Sequence, residues 1–349
     1  MKNMMITGGC GFIGTNFIRY LLSESDFEGK VVNVDKLTYA GNPENLSDLI
    51  SEYPDRYIFI KADICDKDQM TDVFKDHKID CICHFAAESH VDRSIVSPDD
   101  FIQTNIVGTF NLLELAREKG YEIELFHHIS TDEVFGSLGK QGLFTEETSY
   151  KPNSPYSASK ASSDHLVRAY HKTYDLPVTV SNCSNNYGPY QFPEKLIPLM
   201  ILNGLEKRPL PVYGDGLNIR DWLYVRDHCT AIWTIMKSGR KGETYNVGGN
   251  TEMENIHIVE LICDILDEAK GDTDSGSRRE LITFVKDRPG HDRRYAIDCN
   301  KIKNELGWAP EESLESGLRN TVEWYLENTE WVDSVRSGEY QTWMETHYG

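Results

Sequence analysis

Short apolar runs alternate with amphipathic stretches along the first half of the chain. The apolar runs lie at residues 4–7, 31–34, 57–61, 81–85, 125–130 and 178–181, and patterns with helical spacing lie near 12–24, 67–76, 99–119 and 154–174. Strands that alternate with helices in this way form parallel sheets covered by helices on both faces. The pattern therefore predicts an α/β protein with a Rossmann-type, doubly wound parallel sheet.

The pattern loosens after about residue 182, where prolines become frequent. We expect residues 1–182 to form the Rossmann domain, with returning segments at about 218–250 and 296–302. Residues 183–349 are expected to form mainly a smaller, interleaved C-terminal substrate-binding lobe. The polar, Gly/Ser-rich stretch 268–280 predicts a mobile surface loop. Residues 99–119 are apolar nearly all round, which predicts a helix buried against the sheet on one side, and against a partner subunit or the protein's own interior on the other.

Composition and charge limit the classes of partner. The 349 residues carry a formal net charge of −20, which argues against broad binding to nucleic acids or anionic membranes. No apolar run approaches the roughly 18 residues that span a bilayer, and the N-terminal sequence lacks the layout of a signal peptide, so a cytoplasmic location is expected. Among eight scattered cysteines only Cys81 and Cys83 lie close together, which predicts reduced, buried thiols and no metal site.

The stretch ITGGCGFIG follows the first predicted strand and opens the first predicted helix. The spacing of Gly8, Gly11 and Gly14 lets the backbone approach a pyrophosphate at the helix N-terminus. Asp35 ends the next strand, where a carboxylate can bind the adenosine ribose hydroxyls and would repel a 2′-phosphate. Asp63, after the third strand, is placed to meet the adenine edge. These features predict NAD rather than NADP; a tight turn without a ligand is the alternative.

A second candidate feature is the pair Tyr156 and Lys160, which lie four residues apart and therefore share one face of a predicted helix. A nearby ammonium group favours a phenolate, so Lys160 is expected to lower the pKa of Tyr156. Such a tyrosine could remove a proton from a substrate hydroxyl while a hydride leaves the same carbon. Lys160 could also hold the nicotinamide ribose. A Tyr–Lys pair at this spacing is common, and it indicates a catalytic role only because the glycine loop lies upstream in the same chain.

The stretch HISTDEVFG places Asp132 and Glu133 side by side at the end of a predicted buried strand. Two adjacent acids are costly to bury without partners. They could cap a following helix. They could also act as an acid and a base, because repulsion and burial push the pKa values of neighbouring carboxyls apart. The glycine loop and the Tyr–Lys pair in the same chain favour the acid–base interpretation.

Several motifs together resemble the extended short-chain dehydrogenase/reductase family, namely the glycine loop, Tyr-x-x-x-Lys, HFAAESHVDRS and NNYGPYQFPEKLIP. Within it, DKLTYAGNPENL, STDEVFG and YSASKASSDHLVRAYHKTY are similar to the nucleotide-sugar 4,6-dehydratases, and the resemblance covers about residues 3–326. Phe135 departs from the family, which usually has Tyr there. The resemblance implies a lyase that retains and regenerates NAD, a small-molecule nucleotide-diphosphate sugar as its partner, and a homodimer formed through helices 99–119 and 154–174.

The resemblance also implies roles for individual residues. Tyr156 would deprotonate the glucose 4-OH while C4 gives a hydride to NAD, and Thr131 would hydrogen-bond the 4-oxygen. Glu133 would then remove the C5 proton, and Asp132 would protonate the departing 6-OH before the hydride returns to C6. Which acid is the base stays open. The expected substrate is dTDP-glucose, with UDP-glucose as an alternative, since thymine and uracil differ by one methyl group.

Two sets of binding residues follow from the family pattern. The implied cofactor residues are Gly8, Gly11, Phe12, Ile13, Gly14, Asp35, Lys36, Leu37, Thr38, Gly41, Asp63, Ile64, Phe85, Ala86, Ala87, Thr104, Ser130, Tyr156 and Lys160. The implied substrate residues are Ser89, Thr131, Asn185, Lys195, Leu196, Pro211, Tyr213, Arg220, Asn255, Arg288 and His291. Lys195, Arg220, Arg288 and His291 are the local cations that an anionic ligand would need on so acidic a protein.

Two other functions are the alternatives. A nucleotide-sugar 4-epimerase needs only the first oxidation and a return of the hydride after rotation, so it has no use for the acid pair. A non-catalytic NAD-binding regulator would be expected to lack Tyr156 or Lys160, and both are present.

Overall fold

The computed structural model describes residues 1–271 and 276–336. Its strands are β1 Asn3–Thr7, β2 Lys30–Asp35, β3 Tyr57–Lys61, β4 Cys81–His84, β5 Leu125–Thr131, β6 Val178–Cys183, β7 Asn185–Tyr187, β8 Leu210–Tyr213, β9 Ile219–Tyr224, β10 Thr244–Val247, β11 Glu252–Glu254 and β12 Ile282–Val285. Seven of them form one parallel sheet in the order β10-β6-β5-β4-β1-β2-β3. The predicted doubly wound Rossmann-type sheet and its six predicted strands are confirmed. The seventh strand, β10, lies within the segment expected to return to this domain.

The α-helices are α1 Phe12–Ser23, α2 Ser47–Glu52, α3 Lys67–His77, α4 Val91–Val96, α5 Asp99–Phe101, α6 Thr109–Ala116, α7 Pro155–Tyr174, α8 Leu196–Leu205, α9 Val225–Ser238, α10 Asn255–Lys270, α11 Asn300–Leu306, α12 Leu314–Glu327 and α13 Thr329–Val335. Helices α1 and α9 cover one face of the sheet, and α3, α6 and α7 cover the other. Successive strand residues point to opposite faces, so Met4 and Ile6 join the first core cluster and Met5 joins the second. The carboxyl ends of the parallel strands meet at one edge, where such folds bind ligands.

The segment predicted as one helix over 99–119 is helical but not uniform. A π-helix, Ile102–Gly108, lies between α5 and α6, and the helical region ends at Ala116. Its inner side packs on the sheet, but Ile102 and Phe110 are 44% and 42% exposed. The alternative of a fully internal helix is therefore wrong. The π-helix also lets Asn105 bond the Glu88 backbone through both its amide nitrogen and its oxygen.

The remaining elements form the second lobe. Strands β11, β9 and β7 make a three-stranded sheet, and β12 pairs with β8. Helices α8, α10 and α12 pack together in a separate core cluster. No helix among the described residues is long and apolar enough to cross a membrane.

The predicted surface loop over 268–280 is only partly present. Helix α10 continues to Lys270, and a 3-10 turn begins at Arg278, whose side chain is buried and pairs with Asp267 at 2.7 Å. The prediction is wrong for these flanks, because an ion pair anchors the returning chain on the helix. Residues 272–275 lie outside the described residues.

Candidate active site

The glycine loop turns sharply between β1 and α1. Gly8 has a φ of +72°, its N–H donates to the Val34 carbonyl at 2.8 Å, and a Cβ there would lie 2.7 Å from the Ala86 backbone. A Cβ on Gly14 would lie 2.4 Å from the Gly8 carbonyl oxygen. Both positions therefore require glycine for close backbone approach. The loop leaves the N-terminus of α1 facing a long cleft at the sheet edge.

Gly14→Ala is expected to destabilise the fold by about 1–3 kcal/mol, because the new methyl group meets backbone atoms that must shift. Equilibrium denaturation in urea measures this change. Gly139→Ala is the matched control, since a Cβ there would have nothing within 4 Å, and it is expected to stay within roughly 0.5 kcal/mol of the parent. Equal stability of the two variants would contradict the close packing of the loop.

The cleft runs from this loop along the strand ends. Every predicted cofactor residue lines it except Leu37, which packs against the core cluster under the first face of the sheet. The Asp35 carboxylate accepts one N–H on each oxygen, from Cys10 at 2.9 Å and from Leu37 at 2.8 Å. Each carboxylate oxygen keeps a further acceptor site that could serve a ribose hydroxyl. Burial raises the pKa of Asp35 above its ordinary value.

The adenine-edge candidate Asp63 lines the same end of the cleft, but it also forms an ion pair. Its carboxylate lies 2.8 Å from the Lys36 ammonium and accepts the Cys65 N–H at 2.9 Å. Burial opposes ionisation of Asp63, yet the hydrogen bond from Lys36 lowers its pKa overall. Lys36 is thereby held close to the carboxylate of Asp63.

Tyr156 and Lys160 project from α7 into the middle of the cleft, as their spacing predicted. The Lys160 ammonium donates to the Ile129 carbonyl at 2.7 Å, and the nearby Thr131 hydroxyl acts to lower the pKa of the Tyr156 phenol. The prediction that Lys160 lowers the pKa of Tyr156 is wrong for the protein by itself. Burial, followed by the charge of Glu133, raises that pKa well above its ordinary value.

Asp132 and Glu133 lie at the carboxyl end of β5, next to Tyr156 in the cleft. The helix-capping alternative is wrong, because the cap of the following 3-10 turn is Thr131, whose hydroxyl accepts the Glu133 N–H at 3.3 Å. Thr131 also donates to the Asp132 carboxylate at 3.4 Å. Phe135, the departure from the family pattern, stacks on Phe144 at 5.1 Å and leaves the acids in place.

The two acids occupy different electrostatic environments. Asp132 is 1% exposed, and burial together with the charge of Glu133 raises its pKa well above the ordinary value. Burial also raises the pKa of Glu133, but Arg288, Arg220 and Lys195 oppose that rise. The pair therefore favours a protonated Asp132 beside a Glu133 that is more readily ionised.

The predicted substrate residues divide into two groups. Ser89, Thr131, Asn185 and Lys195 line the cleft, whereas Leu196, Pro211, Tyr213, Arg220, Asn255, Arg288 and His291 do not. The second group is nonetheless near, since Arg220 and Arg288 act electrostatically on Glu133. The Arg220 guanidinium lies 4.3 Å from the ring centroid of Tyr295, and Arg288 pairs with Asp92 at 3.4 Å.

Sequence reasoning selected Lys195 but missed its neighbour Glu194, which is buried and also lines the cleft. The Glu194 carboxylate accepts the Tyr39 hydroxyl at 3.0 Å and the Arg93 Nε at 3.2 Å. The Arg93 guanidinium lies 3.8 Å from the Tyr39 ring centroid. Other cleft residues that the sequence did not single out include Tyr39, Glu88, Gln191 and Phe192. The stretch YQFPEK gives no local sign that Glu194 is buried, because its partners Tyr39 and Arg93 come from distant segments.

Metal ligation has no visible basis in this cleft. Nowhere in 1–271 or 276–336 do three His, Cys, Asp or Glu side chains cluster so that they could hold a metal ion. The eight cysteines are unpaired, and Cys65 alone is not fully buried.

The parallel sheet, the glycine loop and the Tyr–Lys pair define an extended short-chain dehydrogenase/reductase. The chain belongs to the family described as GDP-mannose 4,6 dehydratase, whose model matches residues 5–321. A similar curated relative is dTDP-glucose 4,6-dehydratase 1 of Escherichia coli (strain K12), 56% identical over 361 residues that cover 99% of this chain and 98% of the relative.

Two solved structures are also similar. The dTDP-glucose 4,6-dehydratase of Bacillus anthracis, in complex with NAD, is 49% identical with a TM-score of 0.85, covering 96% of this chain and 100% of that one. The dTDP-glucose 4,6-dehydratase of Streptomyces venezuelae, also with NAD bound, is 44% identical with a TM-score of 0.87, covering 95% of this chain and 99% of that one.

Proposed function

We propose that the protein is a hydro-lyase that converts dTDP-glucose to dTDP-4-keto-6-deoxyglucose with a bound NAD that it regenerates. The observation that carries this proposal is the pair of buried Asp132 and half-buried Glu133 beside Tyr156 in a dinucleotide cleft. A 4-epimerase has no use for such a pair. The curated relative and the two solved structures described above carry the name of this activity, which supports the same choice.

The cleft fits NAD in two respects. The Gly8 and Gly14 cradle has no room for side chains, which suits a pyrophosphate against the α1 N-terminus. Asp35 supplies a carboxylate for the ribose hydroxyls, and that carboxylate would repel a 2′-phosphate. When bound, NAD supplies a hydride acceptor for C4 and later a hydride donor for C6. We assign Lys160, which donates to the Ile129 carbonyl, to the nicotinamide ribose.

In the first half of the reaction, Tyr156 removes the proton of the glucose 4-OH, and Thr131 hydrogen-bonds the same oxygen. The phenol has a high pKa in the protein alone, and that pKa must fall when the cationic nicotinamide binds beside it. Loss of hydride from C4 then leaves a ketone, which makes the C5 proton acidic.

In the second half, Glu133 takes the C5 proton while Asp132 gives its proton to the 6-oxygen, and water leaves across C5–C6. The raised pKa of Asp132 keeps that proton available, and the three neighbouring cations keep Glu133 more ionised than burial alone would allow. Hydride return to C6 is matched by proton return from Glu133 to C5. The proton taken up by Tyr156 replaces the one that Asp132 lost, so the site ends as it began.

The diphosphate of the substrate needs local cations on this acidic protein. Arg220 and Arg288 lie near Glu133 and can each bind two phosphate oxygens. We place Asn185 and Asn255 at the diphosphate and nucleoside as well. Both have a side-chain oxygen that is buried without a hydrogen-bond partner among the described residues. Leu196, Pro211 and Tyr213 are assigned to the base and ribose, Ser89 to the sugar, and Lys195 and His291 to the surrounding positive charge.

Incubation with dTDP-glucose and, in parallel, UDP-glucose tests this function. We expect the 4-keto-6-deoxy product from dTDP-glucose without net formation of NADH, measured by chromatography and by the absorbance of reduced nicotinamide. Steady accumulation of NADH would indicate a simple dehydrogenase instead. A 4-epimer as the product would indicate an epimerase. Faster turnover of UDP-glucose than of dTDP-glucose would show that the preferred nucleobase is uracil and not thymine.

The organisation of the protein is also part of this proposal. Residues 1–182 with the returning segments 218–250 and 296–302 are assigned to NAD, and the rest of 183–349 mainly to the nucleotide sugar. The pairing of β10 with β6 supports this division, but β9, at the start of 218–250, belongs to the sheet of the second lobe. Exposed Ile102 and Phe110 support a homodimer through the helical regions 99–119 and 154–174. Eight unpaired thiols support a reducing, cytoplasmic location.

A further inference from the structure

A hydrogen-bonded chain connects the C-terminal helix α13 to the glycine loop. The Trp331 indole N–H donates to the Asn45 side-chain oxygen at 2.6 Å. The Asn45 amide nitrogen donates to the Cys10 carbonyl at 3.3 Å and to the Thr15 hydroxyl at 3.2 Å. Thr15 in turn donates to the Gly9 carbonyl at 3.1 Å. A residue remote in sequence is therefore bonded, through one buried amide, to the turn that faces the cleft.

The Asn45 amide is fixed in a single orientation by this chain. Its oxygen accepts from an indole and its nitrogen donates to two oxygens, so a flipped amide would lose all three bonds. The Asn45 backbone carbonyl also accepts from Arg19, whose guanidinium pairs with Asp48 at 2.7 Å. Asn45 is almost fully buried, so water cannot replace a lost partner without rearrangement.

Helices α12 and α13 also contact the segment at Tyr190 and Gln191, which lies across the cleft from the glycine loop. Tyr190 has a φ of +64° and packs on Trp324 at 4.7 Å and on Trp331 at 6.0 Å between ring centroids. The next residue, Gln191, lines the cleft, and its carbonyl accepts the Tyr325 hydroxyl. A non-glycine residue in the left-handed region persists only when its surroundings hold it there. Trp331 thus contacts both the support of the glycine loop and the support of the facing segment.

We propose that Trp331 and Asn45 are positioning residues that keep NAD in the cleft during turnover, an inference that rests on the proposed function. The hydride that leaves C4 must return to C6 of the same sugar, so release of the reduced cofactor between the two transfers aborts the reaction. The hydrogen bonds from Asn45 hold the glycine loop in the conformation that directs its N–H groups to the pyrophosphate. Loss of the bonds from Trp331 to Asn45, or from Asn45 to the loop, lets the loop sample other conformations and shortens the residence time of the cofactor.

Trp331→Phe tests the proposal, because it keeps most of the ring packing and removes the indole N–H. We expect roughly tenfold more frequent release of NADH per turnover, the factor that corresponds to about one lost buried hydrogen bond. The measurement is NADH captured by a second, NADH-consuming dehydrogenase while the protein turns over dTDP-glucose. The NAD content after purification gives an independent reading.

Trp308→Phe is the matched control. Trp308 is buried and, like Trp331, donates its indole N–H to a side-chain oxygen, here the Thr230 hydroxyl at 2.9 Å; neither Trp308 nor Thr230 lines the cleft. We expect this variant to lose similar thermal stability and to release no more NADH than the parent. Asn45→Ala is expected to release at least as much NADH as Trp331→Phe, and the double variant no more than Asn45→Ala alone, because both residues act through one chain of bonds.

Equal NADH release by Trp331→Phe and Trp308→Phe would overturn the proposal while leaving the proposed function intact. Additive effects of Trp331→Phe and Asn45→Ala would also overturn it, since the two residues would then act separately. A parent protein that holds no NAD and makes no keto sugar would instead overturn the proposed function, and this inference with it.

Discussion

Glu133→Gln is expected to lower kcat for the keto-deoxy product by about 10²–10⁴, the range that one proton-transfer group typically contributes. The amide keeps the shape of the side chain but cannot accept the C5 proton. Oxidation at C4 does not need this group, so the variant should stop after the first half of the reaction. Mixing it with dTDP-glucose should therefore produce the absorbance of bound, reduced nicotinamide without product.

The control for this variant is Glu146→Gln. Glu146 has a raised pKa through burial, as Glu133 does, but it accepts the Asn246 N–H at 2.9 Å and does not line the cleft. It should retain full activity. Product formation by Glu133→Gln at the parental rate would show that another group is the base at C5.

Tyr156→Phe is expected to lower kcat by a similar factor of about 10²–10⁴, but at the earlier step. Without the phenolic oxygen no group takes the 4-OH proton, so neither reduced nicotinamide nor product should form. NAD should stay bound, because the ring still fills its place and Lys160 keeps its bond to the Ile129 carbonyl. Stopped-flow absorbance with dTDP-glucose separates this result from that of Glu133→Gln.

Tyr170→Phe is the matched control on the same helix. Its buried ring carries a hydroxyl that donates to Glu114, and neither residue lines the cleft, so its loss should leave turnover unchanged. If Tyr156→Phe still formed reduced nicotinamide on mixing with substrate, Tyr156 would not be the base for the first oxidation.

The sequence predicted those parts of the fold that depend on local patterns. The six strands and the glycine loop carry strong periodicity and composition, and all are present. Strand β10 was not singled out as a strand, because four residues of edge strand give too short an apolar run to distinguish from a loop. The π-helix at Ile102–Gly108 was not predicted either, since the sequence there has ordinary helical spacing.

The site was predictable where neighbours in sequence are also neighbours in space. Asp132 with Glu133, and Tyr156 with Lys160, were found as local pairs, and the glycine loop and the family resemblance gave them their roles. The electrostatics were not predictable in this way. The pKa of Tyr156 is raised mainly by burial and by the carboxylates of Glu133 and Asp132, which follow β5. Glu194 was missed for the same reason, because its partners Tyr39 and Arg93 come from distant segments.

Transfer of hydrogen from C4 to C6 within one sugar tests the central claim most directly. The protein would be incubated with dTDP-glucose that carries deuterium at C4, and the product analysed by NMR and mass spectrometry. We expect a 4-keto-6-deoxy sugar with the deuterium at C6 and no net NADH. Deuterium that stays at C4 in an epimer, or that accumulates in reduced nicotinamide while C6 carries none, would contradict the central claim.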